Sequence, residues 1–122
     1  MARILLVDDE ATVRELIELV LQLDAHEVTL AGDGDQAIQA IEQSDFDLVI
    51  TDLVMPGKEG IETIMEIRQL RPELRIIAMS GGGRGNAGDY LAMAAQLGAA
   101  RTLEKPFTND ALLTVVREVL AA

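Results

Sequence analysis

Four consecutive strand-forming residues, Leu48-Val49-Ile50-Thr51, run into a carboxylate, Asp52, and after Leu53-Val54-Met55 the chain breaks at Pro56-Gly57. An apolar run without polar alternation marks a strand covered on both faces, the condition found in parallel sheets flanked by helices. A carboxylate at the end of such a strand is costly to bury unpaired. Asp52 therefore calls for partners, or for chemistry that uses an acid held in place.

The same unit recurs along the chain. Ile4 to Val7 forms a short apolar run that stops at Asp8-Asp9-Glu10, and the next residues set Val13, Leu16, Ile17, Val20 and Leu21 on one helical face. His26 to Ala31 alternates, predicting a half-exposed edge strand with His26 in solvent, and a helix over 33–43 buries Ala37, Ile38 and Ile41. A third helix begins near Lys58, carries Ile61, Ile64, Met65 and Ile67 or Leu70, and stops at Arg71-Pro72, because proline disfavours a helical predecessor.

Arg75 to Met79 predicts another continuous strand. Ser80 opens a glycine-rich loop, Gly81-Gly82-Gly83-Arg84-Gly85-Asn86-Ala87-Gly88, ahead of a fourth helix bearing Leu91, Met93, Ala94 and Leu97. Arg101 to Glu104 is a polar fifth strand, and Thr108 or Asn109 caps a last helix that turns Leu112, Leu113, Val116 and Leu120 inward. Five strand–helix units in this order predict an α/β fold: a doubly wound five-stranded parallel sheet in the flavodoxin-like order 2-1-3-4-5, with helices on both faces.

Composition removes several classes of function. At 122 residues the chain fits one domain over 1–122, with no room for an effector domain. A formal charge of -11 repels a phosphate backbone, and 2% aromatic residues leave no platform for stacked bases, so direct nucleic-acid binding is not expected. The absence of cysteine excludes disulfides, thiolate zinc sites and cysteine nucleophiles. No run approaches the roughly 20 apolar residues of a membrane span, and the start lacks a signal-peptide core. A soluble cytoplasmic protein is expected.

In a sheet of this kind the carboxyl ends of the strands share one rim, and ligands bind where the winding direction switches. The residues expected just past those ends are Asp8 and Asp9, then Asp52, Ser80 and Lys105. Two unit charges about 4 Å apart repel by about 4 kcal/mol at an effective dielectric near 20, so clustered carboxylates invite a cation. A site with few carboxylates, shared with phosphate oxygens, suits Mg2+. Lys105 and Ser80 supply a positive charge and a neutral donor for a phosphoryl group.

Taken together, Asp8-Asp9, Asp52 followed by Met55-Pro56-Gly57, the hydroxyl of Ser80, and Lys105-Pro106-Phe107 resemble the receiver domain of two-component response regulators over essentially the whole chain. The resemblance implies that Asp52 takes a phosphoryl group from a histidine kinase, a phosphotransfer protein or a small phosphodonor as an acyl phosphate. It further implies that Asp9, Asp52 and the Val54 carbonyl hold Mg2+, with Asp8 acting through water. Lys105 and Ser80 would hold phosphoryl oxygens, and the bond before Pro106 would be cis. The output would be a changed face of fourth helix, fifth strand and fifth helix, offered to a downstream effector protein or to a second copy in a homodimer.

Three departures bear on that output. Thr102 stands where the family carries an aromatic switch residue, three positions before the lysine. The loop from Gly81, Gly82 and Gly83 to Gly88 is unusually rich in glycine, so ordering of the loop is the expected switch. Val54 and Gly82 occupy positions that help set the attacking water, and neither has a polar side chain, so a slowly decaying acyl phosphate is expected.

Two other classes fit parts of the sequence. A pseudo-receiver would bind partners without phosphorylation, as Thr102 and the odd loop allow. A haloacid-dehalogenase-like phosphatase would use Asp8-Asp9-Glu10-Ala11-Thr12, but needs a metal-binding acid pair after the lysine, where only Asn109-Asp110 follows. Gly83 to Gly88 also fits G-x-G-x-x-G, yet the dinucleotide fingerprint belongs to the first strand–helix turn.

Overall fold

The apolar runs form a parallel sheet of five strands, β1 (Arg3–Val7), β2 (Glu27–Ala31), β3 (Leu48–Asp52), β4 (Arg75–Ser80) and β5 (Arg101–Glu104), in the order β2-β1-β3-β4-β5. The structure is a computed structural model and describes residues 2–53, 60–80, 92 and 94–122. Around the sheet lie α1 (Ala11–Leu23), α2 (Gly34–Gln43), α3 (Gly60–Leu70) and a C-terminal helix, Asn109–Ala121. Residues 92 and 94–96 are also helical. This is the doubly wound architecture that the alternating units predict.

Strand periodicity divides the core into two layers. Ile4, Leu6, Leu48, Ile50, Ile77, Met79 and Leu103 face Ile17, Val20 and Leu21 of α1 and Leu112, Val115, Val116 and Val119 of the C-terminal helix. Leu5, Val7, Val49, Ile76 and Ala78 face Ala37 and Ile41 of α2 and Ile64 and Ile67 of α3. Full burial of such a side chain is worth about 1.5–3 kcal/mol, so β1, β3 and β4, buried on both sides, fix the register. The edges are β2 and β5, each with exposed positions.

Several helix faces differ from the periodic reading. Leu16 is 57% exposed and Met65 is 49% exposed, although both fall beside the apolar stripe in sequence. At 100° per residue Leu16 lies about 90° around its helix from the buried centre, and Met65 about 130–150° around its own, too far to reach the sheet. On the last helix Val115 and Val119 take the buried positions, leaving Leu113 and Leu120 partly covered. The cap is Thr108, whose side chain accepts from the Ala111 N–H at 3.0 Å. Leu91 and Met93 lie outside the described residues.

His26 is not the exposed edge residue its position suggested. It precedes β2, in the turn that closes α1, and only 10% of its side chain meets solvent. Its Nδ1 accepts from the Ala2 N–H at 3.3 Å, and its Nε2 lies 3.4 Å from Asp24 Oδ2. Ala25 adopts a left-handed φ of 66°, letting the Ala25 and His26 N–H groups return to the carbonyls of Gln22 and Leu21 and end the helix.

Asp24 ties α1 to the C-terminal helix, accepting from Arg117 at 2.7 and 3.2 Å. The Arg117 hydrogen bond, outweighing the opposing effect of burial, holds the Asp24 carboxyl below its ordinary value. A depressed folded value contributes stability that is present above the unfolded value, about 4, and lost as pH falls through the folded one. Asp24→Asn is therefore expected to lower the urea midpoint at neutral pH, by an amount that shrinks as the pH drops below about 4; urea titrations across pH measure it.

Candidate functional site

The site is assembled by strands that end side by side. β1 and β3 are neighbours, in register from Ile4 opposite Leu48 to Val7 opposite Thr51, so the residues that follow Val7 emerge beside Asp52. β4 lies on the other side of β3, with Met79 opposite Asp52, and β5 places Glu104 opposite Ser80. Asp52 and Ser80 are the final residues of their strands, not the first residues beyond them. Both are buried, at 6% and 1% exposure.

Asp8 is fully buried and fully engaged. Its N–H donates to the Ala31 carbonyl, its Oδ1 accepts from the Glu10 N–H at 2.9 Å, and its carbonyl accepts from the Arg14 guanidinium at 2.7 Å. The capping role open to an acid before a helix is thus met in part by Asp8, although Glu10 occupies the cap position of α1. The second oxygen, Oδ2, is left for Lys105, whose Nζ lies 2.9 Å away and 3.1 Å from Asp52 Oδ2. One ammonium bridges two buried acids from different strands.

Lys105 reaches this position because β5 ends at Glu104 and the Lys105 N–H donates to the Ser80 carbonyl at 2.7 Å. The Lys105–Pro106 bond is cis. Burial disfavours the ammonium, but the Asp8 hydrogen bond and the nearby Asp52 charge outweigh it and hold the Lys105 pKa above its ordinary value. Each contact at about 3 Å is worth about 5 kcal/mol at an effective dielectric near 20, comparable to the several kcal/mol that desolvating each ion costs. The lysine stays charged through neutral pH.

Asp9 completes the cluster. One carboxylate oxygen each from Asp8, Asp9 and Asp52 lie within 4.8 Å of one another, with Asp9 facing solvent and the other two buried. Counted formally, the acids outnumber the Lys105 ammonium by two charges. An oxygen-only donor set with a surplus of two negative charges and an open side fits Mg2+. Asn109 and Asp110, by contrast, form the first turn of the C-terminal helix and are not part of this group.

Of the residues expected at the rim, Asp8, Asp9, Asp52 and Lys105 come together, with Ser80 at the end of the adjoining strand. Thr102 lies in β5 opposite Ala78, partly buried, and alternation puts it on the other face from Leu103. Val54, Gly81, Gly82 and Gly83 lie outside the described residues. Arg14 was not legible as a site residue: six positions after Asp8, its role depends on the helix folding back over the turn.

Comparison with known proteins agrees with this geometry. Residues 4–117 match the family model of the response regulator receiver domain. The chain is 36% identical over 119 residues to the DNA-binding transcriptional regulator NtrC of Azospirillum brasilense, covering 98% of this chain and 24% of that protein. It is 34% identical over 120 residues to the transcriptional regulatory protein CpxR of Escherichia coli K12, covering 98% of this chain and 50% of that protein. The chain thus spans between a quarter and a half of these relatives.

Among solved structures, a response regulator receiver domain protein of Clostridium thermocellum superimposes with a TM-score of 0.91 at 29% identity, over 99% of this chain and 95% of the other. The response regulator TrrA of Thermotoga maritima, solved with Mg2+ and a beryllium fluoride, gives 0.86 at 32% identity, over 98% and 99%.

Charge balance at the cluster makes a measurable prediction. With EDTA present, Asp9→Asn is expected to raise the thermal midpoint by removing carboxylate repulsion. With Mg2+ at a hundredfold excess over Kd, binding adds about 2.7 kcal/mol to the wild type, and the order of the two midpoints reverses. Differential scanning fluorimetry in both buffers reads it out.

Proposed function

The chain belongs to the response regulator receiver family, and from that membership and the geometry of its rim we propose that Asp52 is the phosphoacceptor of a phosphorylation-controlled signalling module. The observation that carries the reading is the Lys105 ammonium held between Asp8 and Asp52 beside a three-acid oxygen cluster. In this reading an Asp52 carboxylate oxygen attacks phosphorus, and the leaving group departs with the donor's electron pair. Lys105 moves its hydrogen bond from Asp52 to the incoming phosphoryl oxygens, and the Ser80 hydroxyl donates to another.

Mg2+, held by Asp9, Asp52 and the Val54 carbonyl with Asp8 through water, would supply charge neutralisation for the phosphoryl group. Asp8 keeps the lysine oriented, and its own backbone is fixed by Arg14 and Ala31. With Val54 and Gly82 offering no polar side chain to align water, the acyl phosphate decays slowly. The phosphoryl group draws Ser80 inward and alters the face built from the fourth helix, β5 and the C-terminal helix. Thr102, without an aromatic ring, leaves that change to the glycine-rich loop.

The donor is a histidine kinase or phosphotransfer protein, and it approaches the rim beside α1. Leu16, Leu19 and Leu23, at 57%, 53% and 79% exposure, give it an apolar contact on that helix. The receiver acts by itself in a soluble cytoplasmic setting, or as the input part of a longer regulator such as its relatives. No helix among the described residues is long and apolar enough to cross a membrane.

Acetyl phosphate with Mg2+ is expected to add the mass of one phosphoryl group to the wild type and none to Asp52→Asn, with the adduct lasting beyond minutes in intact-mass spectra. Leu19→Glu should keep that labelling and lose labelling by a histidine kinase that phosphorylates the wild type. Absence of the adduct in the wild type would favour the pseudo-receiver.

A further inference from the structure

Just behind the Asp52 carboxylate, the backbone is gripped from two sides by groups that the reaction scheme does not use. The Thr51 hydroxyl, fully buried, donates to the Asp52 carbonyl at 3.0 Å. Gly60, the first residue of α3, packs so closely that an added Cβ would overlap that same carbonyl and the Leu53 backbone. The Gly60 N–H donates to the Leu53 carbonyl at 3.0 Å, and the Leu53 N–H donates to the Met79 carbonyl at 2.9 Å.

We propose that Thr51 and Gly60 are positioning residues which, by closing on the Asp52 carbonyl, set the orientation in which the Asp52 carboxylate meets its ligands. The inference rests on the reading of Asp52 as phosphoacceptor and concerns how that site is aligned. Alternation sends the Thr51 side chain to the face opposite that of Asp52, where Val49 packs against α2 and α3, so its hydroxyl never touches the phosphoryl group. A buried hydroxyl is costly without a partner, and here its partner is the one peptide oxygen whose direction fixes the turn out of β3. The carbonyl occupies space that only a glycine at position 60 leaves open, so any side chain there would displace it, and it cannot rotate away without losing the hydroxyl.

A small rotation of the Asp52–Leu53 peptide would misalign the Asp52 carboxylate with Lys105 and with the acids beside it. Misplacement by about 1 Å can cost on the order of a hundredfold in rate, far more than the loss of one neutral hydrogen bond would suggest.

The test compares Thr51→Val, which is close in shape but lacks the hydroxyl, with Thr51→Ser, which restores it, and with Gly60→Ala. Gly98→Ala serves as a control for stability: Gly98 has a φ of 100° in the turn before β5, where a side chain is strained. Measured quantities are the Mg2+ dissociation constant, the initial rate of labelling by acetyl phosphate and the urea midpoint. Thr51→Val is expected to label about tenfold more slowly and Thr51→Ser within about twofold of the wild type. Gly60→Ala is expected to be slower still, while Gly98→Ala lowers the urea midpoint at unchanged rate.

Labelling of Thr51→Val at the wild-type rate, or a Thr51→Ser as slow as the valine variant, would overturn the proposal. So would slowing of Gly98→Ala in proportion to its lost stability. If Gly60→Ala does not fold in buffer, its rate is read in trimethylamine N-oxide, which favours the compact state. Should the wild type bind Mg2+ yet never label, the phosphoacceptor reading fails by itself. The Mg2+ constants then decide this proposal, weakened binding in Thr51→Val and Gly60→Ala supporting it and unchanged binding overturning it.

Discussion

One ammonium shared by two buried carboxylates is the interaction on which the rest of this structure depends. Lys105 Nζ lies 2.9 Å from Asp8 and 3.1 Å from Asp52, and all three come from different strand ends. Removing the lysine would leave two buried carboxylates uncompensated, and leaving a buried charge unpaired typically costs about 3–5 kcal/mol. The contact also spans nearly the whole chain, joining residue 8 to residue 105. It holds the rim at its first and last strands.

The sheet exists, in functional terms, to make that contact possible. Parallel strands all end on the same side, so a carboxylate at one end, a hydroxyl at the next and a lysine beyond the last meet without long loops. Placing β1 and β3 side by side requires the winding direction to reverse between them, and the reversal opens the crevice in which Asp8, Asp9 and Asp52 gather. The apolar layers on both faces keep β1, β3 and β4 in register, and register is what decides whether Asp52 faces the cluster or the helices behind it. The Thr51 hydroxyl and Gly60 then fix the last peptide.

Much of this was legible in the residues themselves. Leu48 to Thr51 and Arg75 to Met79 could be read as central strands because continuous apolar side chains have no solvent face, and the acids and lysine at the strand ends could be placed by topology alone. What escaped was set by tertiary detail. Helical periodicity marks a stripe but not its width, so Leu16 and Met65 counted as buried when they lie outside it. His26 turned inward because the turn after α1 closes through the left-handed Ala25, a conformation that alanine does not advertise. Arg14, Thr51 and Gly60 act on backbone atoms of the site, and contacts to carbonyls leave no pattern of charge or spacing to find.

The central claim is that the phosphoryl group resides on Asp52 and not on its acidic neighbours. Reducing the acetyl phosphate-treated protein with borohydride converts an acyl phosphate to an alcohol, and tandem mass spectrometry of the resulting peptides locates it. Homoserine at position 52, with Asp8 and Asp9 intact, is the predicted result; reduction at position 8 or 9, or in none of the three, would contradict the account.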